Sequence, residues 1–160
     1  MNNHSVSKVK RLTLSGMVIA LYVVLMYTTQ SFAFGAYQIR IATALYSLTY
    51  FFPFLVLPLG IANGLSNIMG GMPIDILGGF IVGIITAGSN CLIGKKKLPY
   101  PLVALPIGIF PAFIVPIWLS PTINVPYLPL VLSLLVGQIG AGIIAILLIA
   151  VLKDKFKYML

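Results

Sequence analysis

Acidic residues are nearly missing from this chain. Asp75 and Asp154 are the only two in 160 residues, beside ten basic ones. One cysteine, Cys91, excludes an internal disulfide and reads as a small apolar packing residue. One histidine, His4, stands in the polar N-terminal stretch. So few carboxylates and imidazoles leave a resident metal site, or any cofactor of the chain's own, without ligands. Acid–base catalysis is equally short of groups. Charge as a whole is scarce, at 8% of residues, where a soluble domain carries about 25%.

What replaces charge is apolar surface, at 60% of the chain. A water-soluble domain of this size cannot bury so much of it, so the excess faces lipid. The basic residues support that reading. Lys8, Lys10 and Arg11 precede the first apolar run; Lys95 to Lys97 interrupt the chain; Lys153, Lys155 and Lys157 close it. Only Arg40 stands apart. Nucleic-acid binding is the usual alternative for a basic chain, but short basic clusters at the edges of apolar runs mark the cytoplasmic side of a bilayer. The uncharged stretch Leu12 to Ala33 exceeds the signal-peptide core of about 7–15 residues and reads as a retained span.

The spans follow from length and breakers. The first runs from Leu12 to about Phe32. From Ile41 to Ile74 there is no charge, and Pro53, Pro58 and Gly60 divide the stretch. The reading is one helix from Ile41 to about Leu57 and a short one from about Ile61 to Gly70. Asp75 opens the next helix, to about Ile93. Another covers about Pro101 to Trp118, and the last about Leu128 to Leu152. Basic clusters on one side of the membrane require an even number of crossings between them. Counting the short piece gives six. The expectation is an all-α integral membrane protein, a six-helix bundle with a short third helix and both termini cytoplasmic. Residues 1–11 and 153–160 are basic tails around a membrane domain, 12–152. Outer loops then cover Ser31 to Arg40, Gly71 to Pro73, and Leu119 to Pro126.

Few side chains offer chemistry. Arg40 either anchors its helix at the outer interface or points into an outward-facing pocket. Asp75 caps its helix, pairs with Arg40, or accepts hydrogen bonds from a cationic or guanidine-like ligand. Asn63, Ser66 and Asn67, spaced i, i+3 and i+4, share one helix face and either join helices or line a buried site. Gln138, in mid-span, can donate and accept toward a heterocycle edge; Asn90, nearer the cytoplasm, is a weaker candidate. Trp118 and Tyr127 flank the third outer loop as interfacial aromatics or as stacking platforms for a planar ligand. Gly16 and Ala20 give the first helix a small-residue face for close helix approach. Gly88 to Lys96 only loosely resembles a phosphate-binding loop. It has one residue too many between its glycines and no following Ser or Thr. ATP hydrolysis, if transport uses it, belongs to another chain.

The segment Phe34-Gly35-Ala36-Tyr37-Gln38-Ile39-Arg40-Ile41-Ala42-Thr43-Ala44-Leu45 resembles the first-loop signature of the QueT family. The likeness continues through Ala62-Asn63, Asn67 to Gly71, and Asp75-Ile76-Leu77-Gly78-Gly79. That family comprises substrate-binding (S) components of energy-coupling factor (ECF) transporters for queuosine precursors. The resemblance implies a small six-helix protein of the bacterial plasma membrane with an outward-facing site. It implies a scaffold membrane subunit and two ATPases as partners, with Gly16 and Ala20 docking on the scaffold. Gln38, in the first-loop segment, joins Arg40, Asp75, Asn67, Asn63, Gln138, Trp118 and Tyr127 as a substrate-binding candidate. Thr43 and Gln138 stand where the family pattern carries Glu. An aminomethyl-deazaguanine cation therefore lacks two natural partners, and a neutral deazaguanine or another planar molecule becomes an alternative. No internal repeat is evident. That weighs against the competing class, a stand-alone secondary transporter or channel.

Overall fold

Residues 7–34 and 38–156 of the computed structural model are described; His4, residues 35–37 of the signature loop and Lys157 lie outside them. No strand occurs among the described residues. Among the described residues, five helical stretches are long and apolar enough to cross a membrane: Lys8–Thr28, Pro53–Gly70, Pro73–Lys95, Tyr100–Ile123 and Tyr127–Lys155. The chain is therefore a multi-pass membrane protein. Large apolar side chains such as Leu12, Met17, Leu77, Leu128 and Val151 stand exposed on its outside, as lipid contact requires.

Helix α1, Lys8–Thr28, buries Val18, Tyr22 and Met26 and leaves its other faces open. One short helical turn, α2 (Gln30–Ala33), follows. Beyond Arg40 the chain forms a ten-residue 3₁₀ helix, Ile41–Tyr50, where runs beyond 3–4 residues are uncommon. Hydroxyl groups brace it at the 3₁₀ spacing. Thr43, Ser47 and Thr49 each bond the carbonyl three residues back, at 2.7 Å. At about 2.0 Å rise per residue, ten residues reach about 20 Å, a third farther than an α-helix would. A kink at Phe51–Phe52 leads through Pro53–Leu55 into α3, Val56–Asn67.

The division of this stretch differs from the sequence reading. The break falls at Phe51–Phe52. Pro58 and Gly60 both lie inside α3, Pro58 in its first turn, where its missing N–H has no intrahelical partner to lose. The short element is consequently the second, Ile41–Tyr50, and Pro53–Gly70 is the longer piece.

Gly71, at φ 74°, turns the chain into α4, Pro73–Lys95. Helices α3 and α4 cross closely through small residues: a Cβ at Gly83 would sit 3.0 Å from the Gly60 Cα. Next come α5 (Ala104–Ile114) and α6 (Pro116–Ile123), joined at Val115. This helical pair runs five residues past Trp118, into what the sequence suggested was loop; Asn124, left-handed at φ 54°, ends it. The last helix, α7, is Tyr127–Phe156.

Side-chain contacts fix the two ends of the bundle. Arg11 lies over the Phe54 ring, Tyr50 bonds the Leu98 carbonyl, and Lys153 lies over the Tyr100 ring. These contacts gather the basic clusters at one end. At the other, Arg40 meets Ala33 and Asn67, and Trp118 meets Asp75. The 3₁₀ helix thus connects the two ends.

Candidate functional site

The site starts from the period of the 3₁₀ helix. Three residues per turn bring positions i, i+3 and i+6 into one row. Arg40, Thr43, Tyr46 and Thr49 form such a row, and all four are buried. Read with the α period, this stretch does not show it, which is why Thr43 and Tyr46 were not picked out as site residues. Tyr22 was missed as well, being one polar tip on an apolar first helix.

Arg40, 6% exposed, is the hub. Its Nη1 donates to Asn67 Oδ1 at 3.0 Å and to Asn63 Oδ1 at 3.5 Å, and its Nε to the Ala33 carbonyl at 3.3 Å. The guanidinium also lies over the Phe34 ring, 5.1 Å from its centroid. The two asparagines are fixed from behind. Asn63 Nδ2 donates to the Gly79 carbonyl at 2.7 Å, and Asn67 Nδ2 to the Asp75 carbonyl at 2.8 Å. Gly79 has no alternative, since a Cβ there would occupy the space of the Asn67 amide. Tyr22 OH donates to Asn63 Oδ1 and meets Tyr46 OH, each at 3.1 Å.

Below the hub is a small chamber of about 10 Å³, lined by Gln38, Arg40, Thr43, Tyr46, Asn63 and Gln138 against Gly79, Val82, Pro111 and Val115. That is room for about one water molecule. Toward the end of the bundle away from the basic clusters, a wider vestibule of about 210 Å³ is lined by Phe34, Gln38, Gly70, Met72, Asp75, Leu119, Ile123 and Leu130. Gln38 lines both spaces. Its backbone is left-handed, at φ 41°, a conformation costing a non-glycine residue about 1–2 kcal/mol.

Asp75 is neither a cap nor the partner of Arg40. Met72 is the N-cap of α4, and Asp75 lies in its first turn, where a negative charge suits the helix dipole. Its Oδ1 accepts from the Trp118 indole N–H at 2.5 Å. The indole lies against Gly78, where no side chain intervenes. No ion pair joins Arg40 to Asp75 among the described residues. The guanidinium is thus a buried cation held only by neutral acceptors.

Of the candidates, Arg40, Asn63, Gln38 and Gln138 line the chamber and Asp75 lines the vestibule; Asn67 and Trp118 line neither, Asn67 holding Arg40 and Trp118 holding Asp75. Tyr127 does not join them. It is exposed, bonds the Phe113 carbonyl at 2.8 Å and lines neither space; Leu130, one turn on, takes the place expected of it. Ser66 turns onto the Asn63 carbonyl and Asn90 lies deeper, with neither side-chain atom partnered. Gly16 and Ala20 are exposed on α1 with no neighbour within 4 Å of a Gly16 Cβ.

In comparison with known families, the profile of the QueT transporter matches residues 12–154. The chain belongs to the QueT transporter family. It is accordingly a membrane transporter protein, not an enzyme, and the match spans every element of the site. No curated protein and no solved structure matches it. As a QueT family member it handles a small molecule in a membrane, and the Arg40-centred chamber under its vestibule is the candidate place of contact.

Proposed function

We propose that this chain is the membrane-embedded substrate-binding component of an ATP-driven, ECF-type importer in a bacterial plasma membrane, carrying a queuosine precursor or related 7-deazaguanine. The observation that carries the reading is the buried, unpaired Arg40 cation beneath a vestibule of about 210 Å³, in a QueT family chain. Intramembrane charges are costly and are kept where they meet substrate. Arg40, Asn63, Asn67, Gln38 and Gln138 bind from below, and Asp75 with Trp118 from above. The Ile41–Tyr50 helix makes the sixth crossing. Gathering the basic clusters at one end supports cytoplasmic termini and an outward-facing vestibule. Exposed Gly16 and Ala20 are the docking face for a scaffold subunit, and two ATPases supply energy. The chain needs no cofactor of its own.

The test is to purify the protein alone and with co-expressed scaffold and ATPases, and to identify released small molecules by mass spectrometry. A deazaguanine, and a stable four-part complex, are the expected findings. Accumulation of substrate by the lone chain in liposomes, driven by a proton or sodium gradient, would replace this reading with a secondary transporter.

A further inference from the structure

Hydrogen-bond accounting inside the chamber identifies what its ligand must present. Thr43 Oγ1 lies 2.7 Å from the Arg40 carbonyl oxygen and 3.0 Å from Gln138 Oε1. Both neighbours only accept, and a hydroxyl has a single hydrogen. The shorter contact, which braces the 3₁₀ turn, takes it. Thr43 and Gln138 then face each other oxygen to oxygen. At the other end of the same amide, Nε2 carries two hydrogens, is fully buried and has no partner. Where a hydroxyl meets two backbone carbonyls, as Thr49 does with Tyr46 and Ala87, it can only share its hydrogen. A side-chain amide can turn. A half-rotation of the Gln138 amide exchanges its ends at no cost in volume. Nε2 then donates to Thr43 Oγ1, and the group left free is a carbonyl oxygen, which is tolerated unpaired better than an amino group.

We propose that Gln138, oriented by Thr43, offers a carbonyl acceptor beside the Arg40 guanidinium donor, and that together they read a cyclic-amide edge. The ligand's ring C=O accepts from Arg40, and the adjacent ring N–H donates to Gln138. This rests on the chamber being the substrate site. Arg40 keeps a donor for the purpose: Nε and Nη1 are engaged, and Nη2 has no protein partner among the described residues. A space of about 10 Å³ admits an edge and not a ring system, so the ring occupies the vestibule. The chamber contains no carboxylate, so the edge it accepts is not cationic. A basic substituent points the other way, toward Asp75, whose Oδ2 is not used by Trp118.

Three probes test the edge without altering the protein: 7-deazaguanine, its N1-methyl derivative, which lacks the ring N–H, and 2-amino-7-deazapurine, which lacks the ring C=O and with it the ring N–H. Calorimetric titration of the purified protein should show both analogues binding at least about tenfold more weakly than 7-deazaguanine, the effect of leaving one buried polar group unpaired. In Gln138→Leu the N1-methyl penalty should shrink to less than about threefold, while 2-amino-7-deazapurine keeps the part of its penalty that comes from the missing C=O. Thr43→Val, which frees the amide, should loosen N–H discrimination with Gln138 still present. Wild-type protein that binds 7-deazaguanine and its N1-methyl derivative equally well overturns the edge reading and leaves the site reading standing. So does a Gln138→Leu variant with the full N1-methyl penalty. Failure of all three probes, with a different molecule released from the purified protein, overturns the substrate class as well.

Discussion

Arg40 has to do two things at once, and its surroundings show how both are met. Three of its bonds go to neutral oxygens that fix the guanidinium plane, and the chamber side stays free. Lysine is a point charge without that fork. Arg40→Lys, although it keeps the charge, should therefore weaken binding of the released ligand by at least about tenfold, as Arg40→Ala should, with the fold retained; calorimetry on the purified variants measures it. Deeper in the bundle the balance reverses. Thr86 Oγ1 and both side-chain atoms of Asn90 are buried with no partner among the described residues, and nothing in the chamber depends on them. Replacing such groups by apolar ones of similar shape is neutral or stabilising. Thr86→Val and Asn90→Leu should leave affinity unchanged and raise the melting temperature in detergent by a few degrees. A fall in affinity would bring the pair into the ligand path. These residues also mark what a sequence shows at this scale. Arg40, Asn63, Asn67 and Gln138 are legible because a polar group in a long apolar run is conspicuous. Tyr22 and Tyr46 are not, because amphipathic rings occur throughout membrane helices and only their mutual contact reveals a role.

The 3₁₀ helix is the element that assembles the site. By stacking Arg40, Thr43 and Tyr46 in one row it makes a polar stripe from a segment whose composition is ordinary. Its end beside the basic clusters rests directly on α4: a Cβ on Gly94 would clash with the Tyr50 carbonyl oxygen. Backbone, unlike a side-chain tip, cannot yield cheaply there. Gly94→Ala should push the 3₁₀ helix off α4, lowering the melting temperature by several degrees and weakening ligand binding in parallel, although Gly94 is a full bundle length from the vestibule. Gly88→Ala is the control on the same helix. Its Cβ would meet only Val56, at 4.0 Å, and both quantities should stay unchanged. A Gly94 variant that matches wild type would mean this contact does not hold the row in register. Element existence was readable here and element type was not. Hydrophobic length gave the long helices to within five residues at each end, whereas Ile41 to Gly70 was divided at the prolines. Pro58 can occupy a first turn without harm, and the hydroxyl bracing that favours the 3₁₀ form has no periodic signature in hydrophobicity. The same limit explains Trp118: it reads from the sequence as a loop-edge aromatic, whereas it lies inside α6 and bonds Asp75.

At the scale of the whole molecule the two ends differ in what they can do. One end gathers the cations of three chain segments; the other holds the Arg40 chamber and the Asp75 vestibule. Between them α1 is unlike the other helices, since it buries only Val18, Tyr22 and Met26. Tyr22 reaches the back of the site through Asn63, while Gly16 and Ala20 lie exposed among large apolar neighbours such as Met17 and Leu21. The buried face thus backs the candidate site, and the open face is available to another membrane helix. Lipid would tolerate a leucine at Ala20 without penalty. A packed helix would not, because small-residue contacts work by letting backbones approach closely. Ala20→Leu should therefore leave ligand affinity within about twofold of wild type, since neither cavity wall is touched, yet abolish ATP-driven uptake in vesicles containing scaffold and ATPases. Tyr22→Phe is the complementary variant: it removes the hydroxyl behind Asn63 and should weaken binding while the complex still assembles. Size-exclusion of the co-expressed subunits, run beside calorimetry and uptake, separates the two effects. If Ala20→Leu transports normally, the open face of α1 meets only lipid, and docking has to be sought on α5 or α7, whose outer faces are equally apolar.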